Sequence, residues 1–382
     1  MDLPQVEDFP FGSFPEFLES LEYHRAHPAT SVGEYRRLAR SRLAARALSS
    51  HRLYIDTNHW THLRDAYLGR ARDPRYVEVL RLLEGLVEAS TLVVPFSDQL
   101  VEETCHQGDP QTRRATAEII DRLTRGVTLI GWETRKVQEV RHWVGALLEG
   151  QPAVPLDSVW ATVYNAFGLL DWELSHPDKA FAAAFLKAVE DLVDQVGFRG
   201  MIDKLGHNAK AVVGGRDLAD KLTGYKSTIW SNQGSFEEIF REEALSYFDS
   251  VLTDLPAEVI EEFKRLPHGK DLDEGPRIVA NVKRAFLACE QLELHPTSLP
   301  GLRIIAGGHS RIRSDQGRGF KPGDGADLFH AAAAIPYCNA FLTDRSMRHL
   351  LTTPPTDLAG LYGCTVLATV DEAIQHLTCL GA

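Results

Sequence analysis

Between Arg52 and Ile130, short apolar runs of strand type alternate with amphipathic helical patterns, and this alternation narrows the fold more than any other feature of the chain. Arg52-Leu-Tyr-Ile-Asp-Thr-Asn58 is a strand run that ends in polar residues, followed by helical patterns around Trp60, Leu63 and Tyr67 and then from Leu80 to Ala89. Thr91-Leu-Val-Val-Pro95 is the second strand run, with Ser97 placed to cap a helix through Leu100, Val101 and Thr104. A helix from Gln111 to Arg125 leads into the third run, Val127-Thr-Leu-Ile130. Strands that return through helices make βαβ units, so the expected class is α/β with a parallel sheet.

The alternation stops at Gly131. Helical patterns at 137–148, 159–174, 179–193, 236–252, 257–266 and 277–292 fill the stretch to Leu302, with no convincing strand run and with polar glycine breaks near 206–215 and 224–234. The alternation then resumes: helix 326–337, strand run Ala340-Phe-Leu-Thr343, and Cys364-Thr-Val-Leu-Ala368 before a closing helix. The expected organisation is an N-terminal helical arm (1–49), a first sheet portion (50–130), a mostly α-helical insertion (131–306) and a second sheet portion (307–382). A length of 382 residues suits one domain with a large insertion, or two domains.

Composition excludes several classes. With 44% hydrophobic and 25% charged residues the chain has material for a core, so disorder and disulfide-stapled miniproteins are ruled out. The five cysteines form no C-x-x-C pair, which argues against a zinc ribbon and for reduced thiols. The first residues lack a basic start and an apolar run, and no long uncharged apolar stretch follows, so no membrane partner and a cytoplasmic location are expected. The formal charge of −12 speaks against a protein that coats itself broadly in nucleic acid.

Ligands of open parallel sheets bind beyond the carboxyl ends of the strands, so the polar residues after each strand run carry the functional information. They are mostly acids: Asp56 and Asn58 after the first strand, Glu102 and Glu103 on the helix after the second, Asp324 and Asp327 opening the helix after the insertion, and Asp344 after the fourth strand. Singly, each has an ordinary role as a helix cap or a solvated charge. Converging on one sheet edge, they would repel one another, and a hard divalent cation such as Mg2+ or Mn2+ removes that penalty. Such a site activates water toward a phosphodiester, notably with two metals about 3.5–4 Å apart.

These residues resemble the PIN-domain family of metal-dependent nucleases. The resemblance rests on Leu53-Tyr-Ile-Asp56-Thr-Asn58, on Val94-Pro-Phe-Ser-Asp-Gln-Leu-Val-Glu-Glu103, on Asp327-Leu-Phe-His-Ala-Ala-Ala-Ala334 and on Phe341-Leu-Thr-Asp344, and it covers roughly 45–130 and 307–382. It implies a Rossmann-like PIN fold with strand order 3-2-1-4-5. It also implies Asp56, Glu103, Asp327 and Asp344 as catalytic metal ligands, with Asn58 and Thr343 supporting them by hydrogen bonds. Many members place the last acid two residues after the threonine, where this chain has Arg345, and Asn339 stands where related sequences often carry an accessory acid. Glu103 is preferred to Glu102 because it lies three residues after Leu100, near the buried side of its helix.

Upstream of Asp327, the stretch holding Arg303, His309, Arg311, Arg313, Arg318 and Lys321 has Asp315 as its acid and reads as a glycine-rich loop. Arg311, Arg313, Arg318 and Lys321 are therefore expected to grip substrate phosphate, since guanidinium groups bind it without regard to sequence. His309 and His330 read as structural histidines, His59 and His62 offer no complete zinc set, and Gly214-Gly215 and Gly307-Gly308 match no nucleotide-binding loop. The expected function is a Mg2+- or Mn2+-dependent endonuclease, an endoribonuclease acting on tRNA or other single-stranded RNA. By resemblance, it would serve as a toxin or antiphage-defence effector with an antitoxin or other partner protein. The alternatives are a nuclease-derived binding scaffold that no longer cuts, and a nuclease for structured DNA.

Overall fold

The structure is a computed structural model describing residues 14–149, 157–167, 174, 176–205, 235–253, 299–315, 320–321 and 323–381. Its strands are β1 (His51–Ile55), β2 (Leu92–Val93), β3 (Thr128–Leu129), β4 (Trp160–Ala161), β5 (Ala340–Leu342) and β6 (Thr365–Leu367). A four-stranded parallel sheet runs in the order β2-β1-β5-β6, with His51 facing Leu92, Ile55 facing Leu342 and Leu342 facing Leu367. Just beyond β2, Phe96 forms a parallel bridge to Thr128 of β3, which itself pairs antiparallel with β4.

The helices, which make up most of the described chain, are α1 (Pro15–Ala26), α2 (Val32–Ser49), α3 (Thr57–Tyr67), α4 (Arg75–Glu88), α5 (Asp98–Cys105), α6 (Pro110–Thr124), α7 (Trp132–Glu149) and α8 (Val163–Ala166). They continue with α9 (Lys179–Leu205), α10 (Phe236–Thr253), α11 (Pro300–Ser314), α12 (Asp324–Ala334), α13 (Arg345–Thr352), α14 (Leu358–Tyr362) and α15 (Val370–Leu380). None is long and apolar enough to cross a membrane, among the described residues.

Strand side chains alternate between the two faces of the sheet, and this sorts the core. Leu53 and Ile55 join Trp60 and Leu63 of α3, Val79 and Leu83 of α4 and Leu377 of α15. Tyr54 and Phe341 face the other way, among Ala44 and Ala47 of α2 and Leu328 and Ala331 of α12. Helix α9 belongs to the first cluster through Phe185, Val189 and Leu192, and Phe17 of α1 meets Phe185 edge-on at 5.2 Å between ring centroids. The stretch expected as an insertion thus shares the core beside the sheet.

Two sequence expectations need correction. Residues 159–174 do not form one helix: Val159, Trp160 and Ala161 are fully buried, and the last two pair with β3 before the short α8 begins. Aromatic and β-branched residues at full burial suit a strand, and the surrounding helical pattern hid this short run. Nor is 303–321 a loop, because its first half is α11. The Gly307-Gly308 pair is what that helix needs in order to cross its neighbours. A Cβ on Gly308 would lie 2.2 Å from Leu328 Cδ2 of α12, and one on Gly307 would lie 3.2 Å from Leu358 Cδ1 of α14. The expected helices 257–266 and 277–292 and the glycine breaks 206–215 and 224–234 lie outside the described residues.

Candidate functional site

The parallel register brings the ends of β1 and β5 side by side, and with them Asp56 and Thr343. Asp56 is 2% exposed and has both carboxylate oxygens engaged: Oδ1 accepts the Asn58 amide at 2.9 Å and Oδ2 accepts the Thr343 hydroxyl at 2.7 Å. The first bond makes Asp56 the N-cap of α3; the second ties two strands whose sequence positions are far apart. The indole of Trp60 donates to the Ile55 carbonyl at 2.9 Å and seats the first turn of α3 under this junction. Asn58, an exposed residue, hydrogen-bonds Asp56 through its backbone amide.

Asp344 caps α13, accepting the Met347 amide at 2.8 Å. Asp327 lies in the first turn of α12, which rests against α11 through the Gly308 crossing. Burial pushes the Asp327 carboxyl up to about 7, and Asp56, Asp344 and Glu103 add to this while His330 opposes it. Asp56 and Asp344 thus follow neighbouring strands at the carboxyl edge of the sheet, and the charges of Asp56, Asp344 and Glu103 reach Asp327. Asp324, in the same helical turn as Asp327, is buried and accepts the Lys321 amide at 2.7 Å, which gives it a structural role.

Glu103 meets α12 at His330. Its Oε2 lies 3.3 Å from His330 Nε2, and its Oε1 accepts from Gln99 at 3.2 Å. Burial favours the protonated carboxyl, but His330, Thr57 and Gln99 outweigh it and hold the group below its ordinary value. His330 is 1% exposed and also contacts Thr57 Oγ1 at 3.2 Å and the Tyr54 hydroxyl at 2.8 Å, and that hydroxyl lies 2.6 Å from Ser97 Oγ. Burial opposes a charged His330, and Glu103, Asp56 and Asp327 reverse the effect, so its pKa is raised. Sequence reasoning passed over this histidine. The signal was its spacing: three residues past Asp327, it shares that residue's helix face.

Other expected participants stand elsewhere. Arg313 is half-buried against α10, where its guanidinium bonds Glu243 at 2.5 Å and Glu242 at 3.1 Å. It fastens two helices, and this corrects its assignment to a phosphate grip. Arg311 lies on the same helix, half-buried, Lys321 is exposed, and Arg318 lies outside the described residues. His309 sits 3.5 Å from Glu243 and belongs to the same fastening. His59 bonds the Tyr76 hydroxyl at 2.7 Å and the Thr343 carbonyl at 3.1 Å, and His62 stacks on Tyr76 at 4.6 Å, so both are packing residues. Asn339 lies before the first residue of β5, at the end of the strand away from Asp344, and its Oδ1 accepts the Arg52 amide at 2.9 Å. An acid there would stand at the wrong edge of the sheet.

Carboxylates are hard oxygen donors of the kind that bind Mg2+ or Mn2+, and burial first, with Asp56, Asp344 and Glu103 adding to it, pushes the Asp327 carboxyl up. Among the described residues, no three His, Cys, Asp or Glu side chains form a ready-made metal-holding group. Mg2+ does not require one, because it retains several waters and takes one or two carboxylates together with substrate phosphate. Comparison with family models, curated proteins and solved structures gives no match to this chain.

Proposed function

We propose that the chain is a PIN-like endonuclease that hydrolyses phosphodiesters, with RNA as substrate and Mg2+ or Mn2+ as cofactor. The observation that carries this reading is the pairing of β1 with β5, which sets Asp56 against Thr343 at 2.7 Å and Asp344 directly after it, while Glu103 meets the helix of Asp327 through His330 at 3.3 Å. The order β2-β1-β5-β6, with β3 bridged to the segment after β2, supports it at the level of fold.

Asp56, Glu103, Asp327 and Asp344 would hold the cation. When bound, it supplies an activated water and neutralises charge on the phosphate. The chain's own contribution is to fix the carboxylates. Thr343 and the Asn58 amide leave Asp56 no free rotation, and the cap bond from Met347 does the same for Asp344. Lys321, exposed just before α12, would meet a phosphate arriving at this edge.

The test is cleavage of a panel of single-stranded RNA, tRNA and branched DNA with Mn2+, comparing wild type with Asp56→Asn and Asp344→Asn. Both variants retain a capping oxygen, so folded protein is expected together with loss of cleavage, with Asp56→Asn melting lower because it gives up the oxygen that accepts the Thr343 hydroxyl. Undiminished cleavage by both would overturn the assignment, and cleavage confined to branched DNA would replace RNA as substrate. The absence of a ready three-ligand group among the described residues favours a second reading, a binding module that no longer cuts. Calorimetric titration with Mn2+ separates the two, since a scaffold takes up no metal at millimolar concentration.

A further inference from the structure

His330 stands at the centre of a buried polar chain that links three elements of the site. Tyr54 comes from β1, two residues before Asp56; Ser97 precedes α5, which carries Glu103; and His330 lies on α12, one turn past Asp327. Tyr54 is completely buried, as is Ser97, and His330 is 1% exposed, so water does not complete their hydrogen bonding.

With Glu103 ionised and the His330 ring neutral, the contacts allow one direction of donation. An ionised carboxylate only accepts, so the His330 nitrogen at 3.3 Å from Glu103 Oε2 carries hydrogen. In the neutral ring Nδ1 is then an acceptor, filled by the Tyr54 hydroxyl at 2.8 Å, and the Tyr54 oxygen receives the Ser97 hydroxyl at 2.6 Å. Each group donates once, from Ser97 through Tyr54 and His330 to the Glu103 carboxylate. Buried polar chains of this type are stable only when every member is satisfied, and with a neutral ring this one is satisfied with Nε2–H shared between Glu103 and Thr57 Oγ1, which lies 3.2 Å from the same nitrogen. Glu103 belongs to an eight-residue helix and is partly exposed, so without this donor its side chain has Gln99 and Thr57 to hold it.

We propose that His330 is a positioning residue whose Nε2–H holds the Glu103 carboxylate against α12, the helix that carries Asp327, with Tyr54 and Ser97 setting the tautomer. The proposal rests on the metal-site reading above. Hydrogen-bond partners of ligating carboxylates typically change metal affinity by about 10- to 100-fold when removed. The experiment is the Mn2+ dissociation constant of the full chain by calorimetry, with thermal melting alongside, for wild type, His330→Leu, His330→Gln and Tyr54→Phe. Glutamine keeps an N–H toward Glu103 and an oxygen toward Tyr54, whereas leucine keeps only volume.

Expected are a loss of about 10- to 100-fold in His330→Leu, affinity close to wild type in His330→Gln, and a smaller loss in Tyr54→Phe. Rescue by glutamine is a result that mere core packing does not produce. If His330→Leu fails to fold, the contrast between His330→Gln and Tyr54→Phe decides, with equal affinities counting against the proposal. Wild-type affinity in His330→Leu, or equal losses with leucine and glutamine, would overturn the proposal and leave the metal site standing. Absence of Mn2+ binding by wild type overturns the metal reading itself, and this proposal with it.

Discussion

Asp56 and Thr343 show how much of the site depends on single hydrogen bonds. The threonine hydroxyl is the partner of one oxygen of a buried carboxylate, and the bond spans the join between two strands. Thr343→Val preserves shape and removes the donor, leaving a buried charge short of a partner. A loss of about 1.5–3 kcal/mol is expected by urea denaturation, the range for hydrogen bonds to charged groups. Arg313 gives a contrasting case. If it fastens α11 to α10, Arg313→Gln lowers the melting temperature and leaves RNA affinity and its salt dependence unchanged, whereas a phosphate-gripping arginine would alter the salt slope. At this scale the acids after the strands were legible, because a polar residue ending an apolar run has few other places to go. His330 was not, because a lone histidine shows nothing of its partners until distant strands are brought together.

Among elements, the crossing of α11 over α12 decides where Asp327 stands. Gly308 allows an approach that any side chain obstructs, with Leu328 in the way at 2.2 Å. Gly308→Val is expected to cost about 1–3 kcal/mol, the usual penalty for overpacking, and to displace the first turn of α12. Weaker Mn2+ binding should accompany the lower stability, read by calorimetry on the folded fraction. The strands β1, β2, β3, β5 and β6 were legible from apolar runs with turn signals at their ends. β4 and α11 were not: the first is two residues long in a helical context, and the second is helical despite two adjacent glycines, whose low helix propensity is overridden by packing. Propensity describes a segment alone, and both segments owe their conformation to neighbours far away in the chain.

At the scale of the molecule, a second buried polar group links the segment after β3 to the C-terminal part of the sheet. Glu139 of α7 is 2% exposed, accepts the Tyr337 hydroxyl at 2.6 Å and the Gly301 amide at 2.8 Å, and burial pushes its pKa up to about 7. The folded state therefore binds a proton more tightly than the unfolded chain between about pH 4.5 and 7. The sign follows: this stabilisation is complete below the unfolded value and is lost as pH rises through about 7. It amounts to at most about 3 kcal/mol. Glu139→Gln removes the titration, so the variant's stability should vary less than wild type between pH 5 and 8, whatever its absolute value. Parallel curves for the two proteins would exclude Glu139 as the titrating group.

The pairing of β1 with β5 has a consequence for how the chain acquires its fold. Leu53 meets Ala340 and Ile55 meets Leu342, so the central strand waits for partners made nearly three hundred residues later. Closing a loop of that length costs entropy before any contact rewards it, and pairings of this kind slow folding. During synthesis β1 has β2 on one side and an open edge on the other, rich in the leucine, tyrosine and isoleucine that invite association with other chains. Chains terminated before Ala340 are expected to aggregate when released, while the full chain refolds at low concentration. The register that unites Asp56 with Thr343 thus also makes β5 the strand that closes the open edge of β1.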